Sequence, residues 1–418
     1  MSRKALYLLL ASLLSAAPVC AHETVALPRP GVSDQIPTAL VRAPARSLEG
    51  VENQEVQFAW RLDATQPLTQ AQPYRSESLE SWELVSAEVL ARGHRLRITV
   101  PGAIVRLSPA DAARAPIDPL SVLVVKDGRS YANGSGMSSV LGADEVASGV
   151  APFPDGSSAF RLASNLGVGE FELRAETSGA TLVHVYEPGS DVRLGLSAER
   201  MSYLSGETLR LDVDLQNAGR AMTASSWTAN VLAPDGRRWP LSITRAADGG
   251  YEAQWTVAEA ASTPGLFEVE VQARADLDRS SLLRNAKTSF AVALPTARFA
   301  GGIRNMPVRM VGPVYLFEVD VEVATRSRYQ LEGSLYGTDP KSGRMVPVAT
   351  AQTAAVLETG TTPVTLLFGP DVLEGANVMA PWELRDLRLM DQPSLSVIER
   401  RELAYVIAGE IVLPPPDR

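Results

Sequence analysis

Few side chains in this sequence of 418 residues are suited to acid–base or nucleophilic chemistry. The chain has three histidines, His22, His94 and His184, and a Ser-His-Asp triad would need one of them as its base. His22 is near the start, while His94 and His184 each lie within a strand-like run, whereas catalytic groups more often lie in loops. We therefore expect His94 and His184 to be structural, and we favour a protein that is not an enzyme.

Carboxylates support the alternative interpretation, an exported hydrolase that works with acidic side chains of its N-terminal domain. Glu77, Glu80 and Glu83 lie close together in the sequence, and the Gly- and Ser-rich stretch 133–149 is predicted to be a loop that frames a cleft with them. Carboxyl groups are common general acids and bases. This alternative predicts that the three carboxylates converge on one site.

One short acidic motif makes calcium a weak cofactor candidate. Asp276-Leu277-Asp278 lies between two predicted strands and is similar to the Asp-x-Asp pairs with which exported β domains hold calcium. A calcium ion takes six or more oxygen ligands, and only two carboxylates, Asp276 and Asp278, are adjacent here. A solvated turn is the favoured interpretation, and we expect no other cofactor or metal.

Exposed aromatic rings are the usual indication of sugar binding, because a flat ring can stack on a pyranose. The alternation of apolar residues places four of the six tryptophans on predicted core faces: Trp60 (with Phe58), Trp227, Trp239 and Trp255. Trp82 and Trp382 are the two that this alternation does not bury. They are the candidate ligand-binding residues, and packing against a core is the competing interpretation for each.

The first residues have the pattern of a secretory signal peptide. Arg3 and Lys4 precede an uncharged apolar run at 5–17, and small residues at 19–21 predict cleavage after Ala21. The run is too short to span a bilayer, so no transmembrane segment is expected after cleavage. The single cysteine, Cys20, lies inside the signal, and the alternative is a lipoprotein in which Cys20 is the acylated first residue of the mature chain. We therefore expect an exported protein without thiols, in the periplasm or outside the cell.

The charge of the chain argues against nucleic acid as a partner. The sequence has 39 Lys and Arg against 48 Asp and Glu, a formal net charge of -9. A phosphate backbone repels such a protein. Partners of another kind, such as a cell-envelope glycan or another exported protein, are expected instead.

Alternation with a period of two dominates the chain and predicts an all-β protein. The middle of the chain shows it best, since Leu209, Leu211 and Val213 alternate with charged residues. Turn motifs such as Pro234-Asp235-Gly236 separate about seven predicted strands, a spacing typical of an immunoglobulin-like sandwich.

Breaks in composition near 187–191 and 295–302 divide the chain into tandem units. The predicted division is a signal peptide at 1–21, a flexible segment at 22–50, an N-terminal β-rich domain at 51–189 with a first strand at 56–62, an immunoglobulin-like sandwich at 190–294 and a C-terminal β-sandwich at 295–418. The predicted fold class is therefore all-β, with tandem β-sandwich domains.

Several short motifs resemble those of an uncharacterised family of secreted bacterial proteins with domains of unknown function. The stretch 101–109, Pro-Gly-Ala-Ile-Val-Arg-Leu-Ser-Pro, resembles a motif of its N-terminal domain, and Tyr203-Leu204-Ser205-Gly206-Glu207 resembles the entry to its immunoglobulin-like middle domain. The patterns at 329–336 and 384–389 are similar to a module at the ends of exported proteases and surface proteins. The resemblance implies three domains and export. It brings no functional residues, because the family has no assigned chemistry.

These observations together predict an exported, non-enzymatic protein of several β modules that binds or adheres. An envelope glycan and another exported protein are its expected partners. The alternatives are the hydrolase described above and a structural partner of another exported protein.

Overall fold

A computed structural model describes residues 24–44, 47–66, 68, 74–111, 113–148, 153–247, 249–257, 266–306 and 312–409. The predicted signal peptide 1–21, with Cys20, lies outside them. Within these ranges, regular structure is almost entirely β and forms three tandem units, each with two sheets around a hydrophobic core. This confirms the predicted fold class. None of the helices in these ranges is long and apolar enough to cross a bilayer.

The first three strands pair with later units of the chain. They are β1 (Val25–Ala26), β2 (Val56–Arg61) and β3 (Arg75–Ser78). Val25 lies opposite Ile303 and Val56 opposite Ala354, so β1 and β2 belong to the C-terminal unit, while β3 joins the central one. The flexible segment at 22–50 stays a prediction. Strand 56–62 was placed in the N-terminal domain, whereas the structure pairs it with β26 of the C-terminal unit. Alternation identifies a strand, but its sheet is decided by a partner hundreds of residues away.

The N-terminal unit packs a sheet of order β4-β12-β6-β10-β9 on a sheet of order β5-β11-β7-β8. Its core includes Val105, Leu107 and Phe160 from the first sheet and Phe171 from the second. The predicted loop 133–149 contains a strand and a helix where the structure describes it. The elements are β4 (Glu80–Val85), α1 (Ala87–Arg92), β5 (His94–Ile98), β6 (Ile104–Pro109), β7 (Leu123–Lys126), β8 (Arg129–Tyr131), β9 (Met137–Leu141), α2 (Ala143–Ala147), β10 (Ser158–Leu162), β11 (Gly169–Arg174) and β12 (Thr181–Tyr186), with 3-10 turns at Pro119–Ser121 and Ser164–Leu166.

The central unit packs a sheet of order β19-β20-β15-β13-β3 on a sheet of order β18-β17-β21-β22. Leu209, Leu211 and Val213 of β15 are buried and the alternate Arg210 and Asp212 are exposed, as their spacing predicts. The immunoglobulin-like assignment stays a prediction. The strands are β13 (Val192–Ala198), β14 (Ser202–Leu204), β15 (Thr208–Asn217), β16 (Arg220–Ala221), β17 (Ser226–Leu232), β18 (Arg238–Pro240), β19 (Ile243–Arg245), β20 (Tyr251–Thr256), β21 (Leu266–Leu277) and β22 (Ser280–Ala293).

The C-terminal unit packs a sheet of order β1-β23-β24-β27 on a sheet of order β2-β26-β25-β28-β29. Phe317, Val319 and Leu366 are fully buried between the two sheets. The elements are β23 (Ala297–Met306), β24 (Tyr315–Val323), β25 (Ser327–Thr338), β26 (Met345–Leu357), β27 (Gly360–Phe368), α3 (Pro370–Leu373), β28 (Met379–Asp391) and β29 (Ser396–Ile407), with a 3-10 turn at Gln392–Ser394.

Strand β2 presents its aromatic side chains to solvent, contrary to the prediction. Phe58 is 58% and Trp60 44% exposed, while Ala59 between them packs against the C-terminal core. Alternation shows that Phe58 and Trp60 share a face, but not which face of the strand is covered. The smaller residue is the one that fits against the opposing sheet.

The N-terminal and central units share one continuous sheet of ten strands. Strand β4 of the first unit lies beside β22 of the second, where Glu80 is the partner of Asn285. The Asn285 side-chain oxygen also accepts a hydrogen bond of 3.0 Å from the backbone N–H of Trp82. The two units are therefore joined through a sheet as well as through the chain.

The linker between these units is buried around an ion pair. Glu187 and Arg284 are each 1% exposed, with 2.6 Å between a carboxylate oxygen and a guanidinium nitrogen. The same guanidinium donates to Thr99 Oγ1 and Ser190 Oγ, and Glu187 accepts from Thr99. The composition break at 187–191 is thus a packed polar junction.

A candidate ligand-binding groove

Trp82, His184 and Arg106 form one row across three neighbouring strands. Trp82 of β4 lies opposite His184 of β12, and His184 lies opposite Arg106 of β6. Directly opposed residues point to the same face of a sheet. The alternate residues Val183 and Val105 are buried in the N-terminal core, so the row lies on the outer face. The apolar alternation of these strands therefore brings three polar or aromatic groups together at the surface.

The row lies in a groove of about 610 Å³ at the junction of the N-terminal and central units. Glu77 and Ser78 of β3 line it on one side, and Ala286 and Lys287 of β22 line it on another. Tyr186 also borders it. Both units contribute to the groove, since β3 and β22 belong to the central unit and the Trp82 row belongs to the N-terminal unit. The groove therefore lies at the junction of the two units.

Trp82 is partly buried and held by a neighbouring strand. Its indole N–H donates a 2.8 Å hydrogen bond to a carboxylate oxygen of Glu270 on β21. The His184 ring lies roughly parallel to it, with 6.1 Å between ring centroids, and the Lys287 ammonium is 5.9 Å from the indole centroid. This orientation is fixed by a specific hydrogen bond, as is usual for a partly buried indole.

The acidic side chains of the groove have hydrogen-bond or ion-pair partners. A Glu80 carboxylate oxygen lies 3.0 Å from His184 Nε2, and this hydrogen bond lowers the pKa of Glu80 from its ordinary value of 4.5. Glu77 lies 3.2 Å from Arg75 and 3.4 Å from Arg193. Both carboxylates are therefore held by neighbouring side chains.

Arg106 is the exception among the charged groups. Its side chain is partly buried, its Nε atom is buried without a hydrogen-bond partner, and its guanidinium makes no hydrogen bond with any residue that the structure describes. The guanidinium carbon lies 4.4 Å from the centroid of the Phe153 ring. Burial lowers the pKa of Arg106, opposed by the more distant charge of Glu80. A buried donor without a partner costs free energy, which a bound acceptor would recover.

Comparison with known proteins places the three units in one family. The N-terminal, central and C-terminal domain models of the domain of unknown function DUF4785 match residues 47–187, 190–293 and 302–407. The chain belongs to the DUF4785 family. This confirms the predicted membership of an uncharacterised three-domain family.

A solved DUF4785 structure has the same fold. The crystal structure of a DUF4785 family protein from Legionella pneumophila matches with a TM-score of 0.70 at 19% identity, over 89% of this chain and 98% of that one. A tandem repeat from the extending region of a large adhesion protein matches with a TM-score of only 0.19 at 14% identity, over 78% of this chain and 74% of that one, which supports no inference. No curated protein matches the sequence.

The carboxylates predicted for a hydrolase do not converge in this DUF4785 chain. Glu77 and Glu80 border the groove, but Glu83 lies by a second, smaller cavity with Arg274 and His94. The Glu83 carboxylate is 2.5 Å from Arg274 and 3.9 Å from His94. Burial lowers the pKa of His94, which favours its neutral form. Both histidines of the predicted strands are held by carboxylates in structural contacts.

The acidic motif of the DUF4785 central domain lies in the hairpin between β21 and β22. Asp276 and Asp278 are exposed, and Asp278 accepts a 2.8 Å hydrogen bond from Arg97 of the N-terminal domain. Throughout the described ranges, no three His, Cys, Asp or Glu side chains are placed to hold a metal ion. Asp278 contributes an interdomain ion pair.

The two candidate tryptophans have different positions. Trp82 borders the groove, whereas Trp382 packs partly buried against the C-terminal core, with 5.1 Å between its ring centroid and that of Tyr315. Arg106 and Lys287 also line the groove, and neither was among the predicted site residues. Arg106 interrupts an apolar run between the buried Val105 and Leu107, and that interruption is the one signal the sequence offered.

Proposed function

We propose that this DUF4785 protein is an exported binding protein and that its ligand occupies the groove beside Trp82. The observation that carries this proposal is the row of Trp82, His184 and Arg106 in a groove of about 610 Å³, a size typical of small-ligand sites. Trp82 offers a held aromatic surface, and Arg106 offers donors that lack acceptors among the described residues.

Binding is favoured over catalysis because the groups that could transfer protons are engaged. Glu80 is held by His184, and Glu77 lies between two arginines. The groove thus presents recognition groups. Export is supported by the charged and apolar start of the sequence, with Arg3, Lys4 and the small residues before His22. Mass spectrometry of the secreted chain is expected to give His22 as its first residue.

The binding proposal is tested by retention of the purified mature protein on a glycan array and on cell-envelope fractions. Trp82→Ala is expected to weaken retention about tenfold or more, as loss of a central aromatic contact does. Trp60→Ala removes an exposed tryptophan from β2 of the C-terminal unit and is the matched control. Absence of retention on any surface, or equal losses in the two variants, would contradict the proposal.

A further inference from the structure

The charges around the groove leave one cation available. Glu77 and Glu80 are each held by their own partners, and Lys287 lies 3.5 Å from Glu268 in an exposed pair. Arg106 has no hydrogen-bond acceptor among the described residues. An incoming acceptor at Arg106 would therefore not have to displace an internal ion pair.

The guanidinium of Arg106 favours one kind of hydrogen-bond acceptor on the ligand. A guanidinium is a planar fork of donors that matches a carboxylate in two parallel hydrogen bonds. The Phe153 ring, 4.4 Å away, restricts the orientation of this fork. Glu77 and Glu80 also border the groove, and their charges disfavour a doubly charged group such as phosphate more than a single carboxylate. A monoanion is the better fit.

The distance between Trp82 and Arg106 indicates the kind of molecule to which the carboxylate belongs. Trp82 and Arg106 lie on strands that are separated by one strand, β12, which carries His184. Two inter-strand spacings amount to about 9.5 Å between their backbones. This is the scale of one or two sugar rings. The His184 ring flanks the indole on the side of Arg106, so a pyranose would lie across the outer edges of both rings while its acidic substituent reaches the guanidinium. We propose that the groove binds an acidic saccharide, with its carboxylate on Arg106 and a sugar ring on Trp82.

This inference rests on the proposed function, and the test separates the two. The mature chain is titrated calorimetrically with oligomers of galacturonic acid and with their methyl esters, in which a methyl group replaces the negative charge of each carboxylate. The acid form is expected to bind at least tenfold more tightly than the ester. In Arg106→Gln this preference is expected to disappear, while Trp82→Ala weakens binding of both forms.

Two further variants keep the result interpretable. Arg210→Gln removes an arginine that is 59% exposed on the other sheet of the central unit, and it is expected to retain the preference. Arg106→Lys keeps the positive charge but lacks the planar pair of guanidinium donors. Its preference for the acid over the ester is expected to lie between those of the wild type and Arg106→Gln. Inorganic phosphate is included as a competitor and is expected to displace the oligomer weakly.

Three outcomes would overturn the inference. These are equal affinity for acid and ester, a preference that persists in Arg106→Gln, and strong competition by phosphate. If neither form binds while the protein is still retained on other glycans, the acidic-saccharide assignment is wrong and the binding function stands. Absence of retention on every surface would contradict the binding function itself.

Discussion

Two arginines at the same domain junction have contrasting surroundings. Arg284 is 1% exposed and has a carboxylate, two hydroxyls and two carbonyl oxygens as partners. Arg106 is partly buried and has no hydrogen-bond acceptor among the described residues. Burial lowers the pKa of both, but at Arg284 Glu187 is directly paired and opposes that shift. A complete set of partners indicates a structural role, and the incomplete set at Arg106 is the basis of the proposed ligand site.

Removing the Glu187 carboxylate, the counter-ion of Arg284, is expected to have the largest effect on stability. Glu187→Gln leaves the Arg284 charge buried without its counter-ion, which costs about 3–5 kcal/mol of unfolding free energy. Urea unfolding followed by tryptophan fluorescence measures the loss. Glu77→Gln, in an exposed pair, is the control and should change stability by less than about 1 kcal/mol. Similar losses in both variants would break the contrast.

A smaller loss is expected when one hydroxyl is removed from the same cluster. Thr99→Val keeps the shape of the side chain but removes hydrogen bonds to Glu187, Ser190 and Arg284. Unsatisfied buried partners cost about 1–3 kcal/mol. Thr228→Val, at an exposed position of β17, is the control, and it should leave the urea midpoint nearly unchanged. An unaffected Thr99→Val variant would mean that water replaces the hydroxyl.

The Glu80–His184 pair is expected to give a pH-dependent contribution of at most about 1 kcal/mol, because Glu80 is partly exposed. The pKa of Glu80 is lower in the folded protein than its ordinary value of 4.5. Its stabilisation is therefore present above pH 4.5 and is lost as the pH falls through the folded pKa. The difference in unfolding free energy between the wild type and Glu80→Gln should shrink from pH 6 to about pH 3. A difference that grows on acidification would contradict this assignment.

The smallest effect on stability is expected for substitution of Arg106. Arg106→Gln removes no hydrogen bond to a described residue and loses the contact with the Phe153 ring, so the unfolding free energy should fall by only about 0.5 kcal/mol. Differential scanning calorimetry beside Arg284→Gln gives the direct comparison. A loss at Arg106 as large as that at Arg284 would show that Arg106 is part of the packing.

Strand alternation predicted the parts of the fold in which a strand pairs with its neighbours in sequence. The apolar face of β15 is buried as expected, because strand pairing and core packing impose the same period of two. Strand β2 was assigned to the wrong unit and its Phe58 and Trp60 to the wrong face. Its partner β26 is distant in sequence, and no local pattern specifies a distant partner.

The candidate site was predictable only in part for a related reason. Trp82 was selected because alternation did not bury it, and it does border the groove. Arg106 and Lys287 carry no local pattern that separates them from solvated charges. Their meeting with Trp82 depends on the register of β4, β6 and β12 and on the junction of β4 with β22.

The pairing of β1 and β2 with the C-terminal unit has a consequence for how the chain is made. These strands are synthesised first, yet the sheets that they border are completed only when β23 and β26 have been made. Until then, the backbone N–H and C=O groups of β1 and β2 lack their strand partners. A fragment that begins at residue 302, where the third family match starts, would lack both strands and the first half of β23, and it would expose the backbone edge of β26. Such edges promote aggregation, so the ends of this polypeptide need to be expressed together.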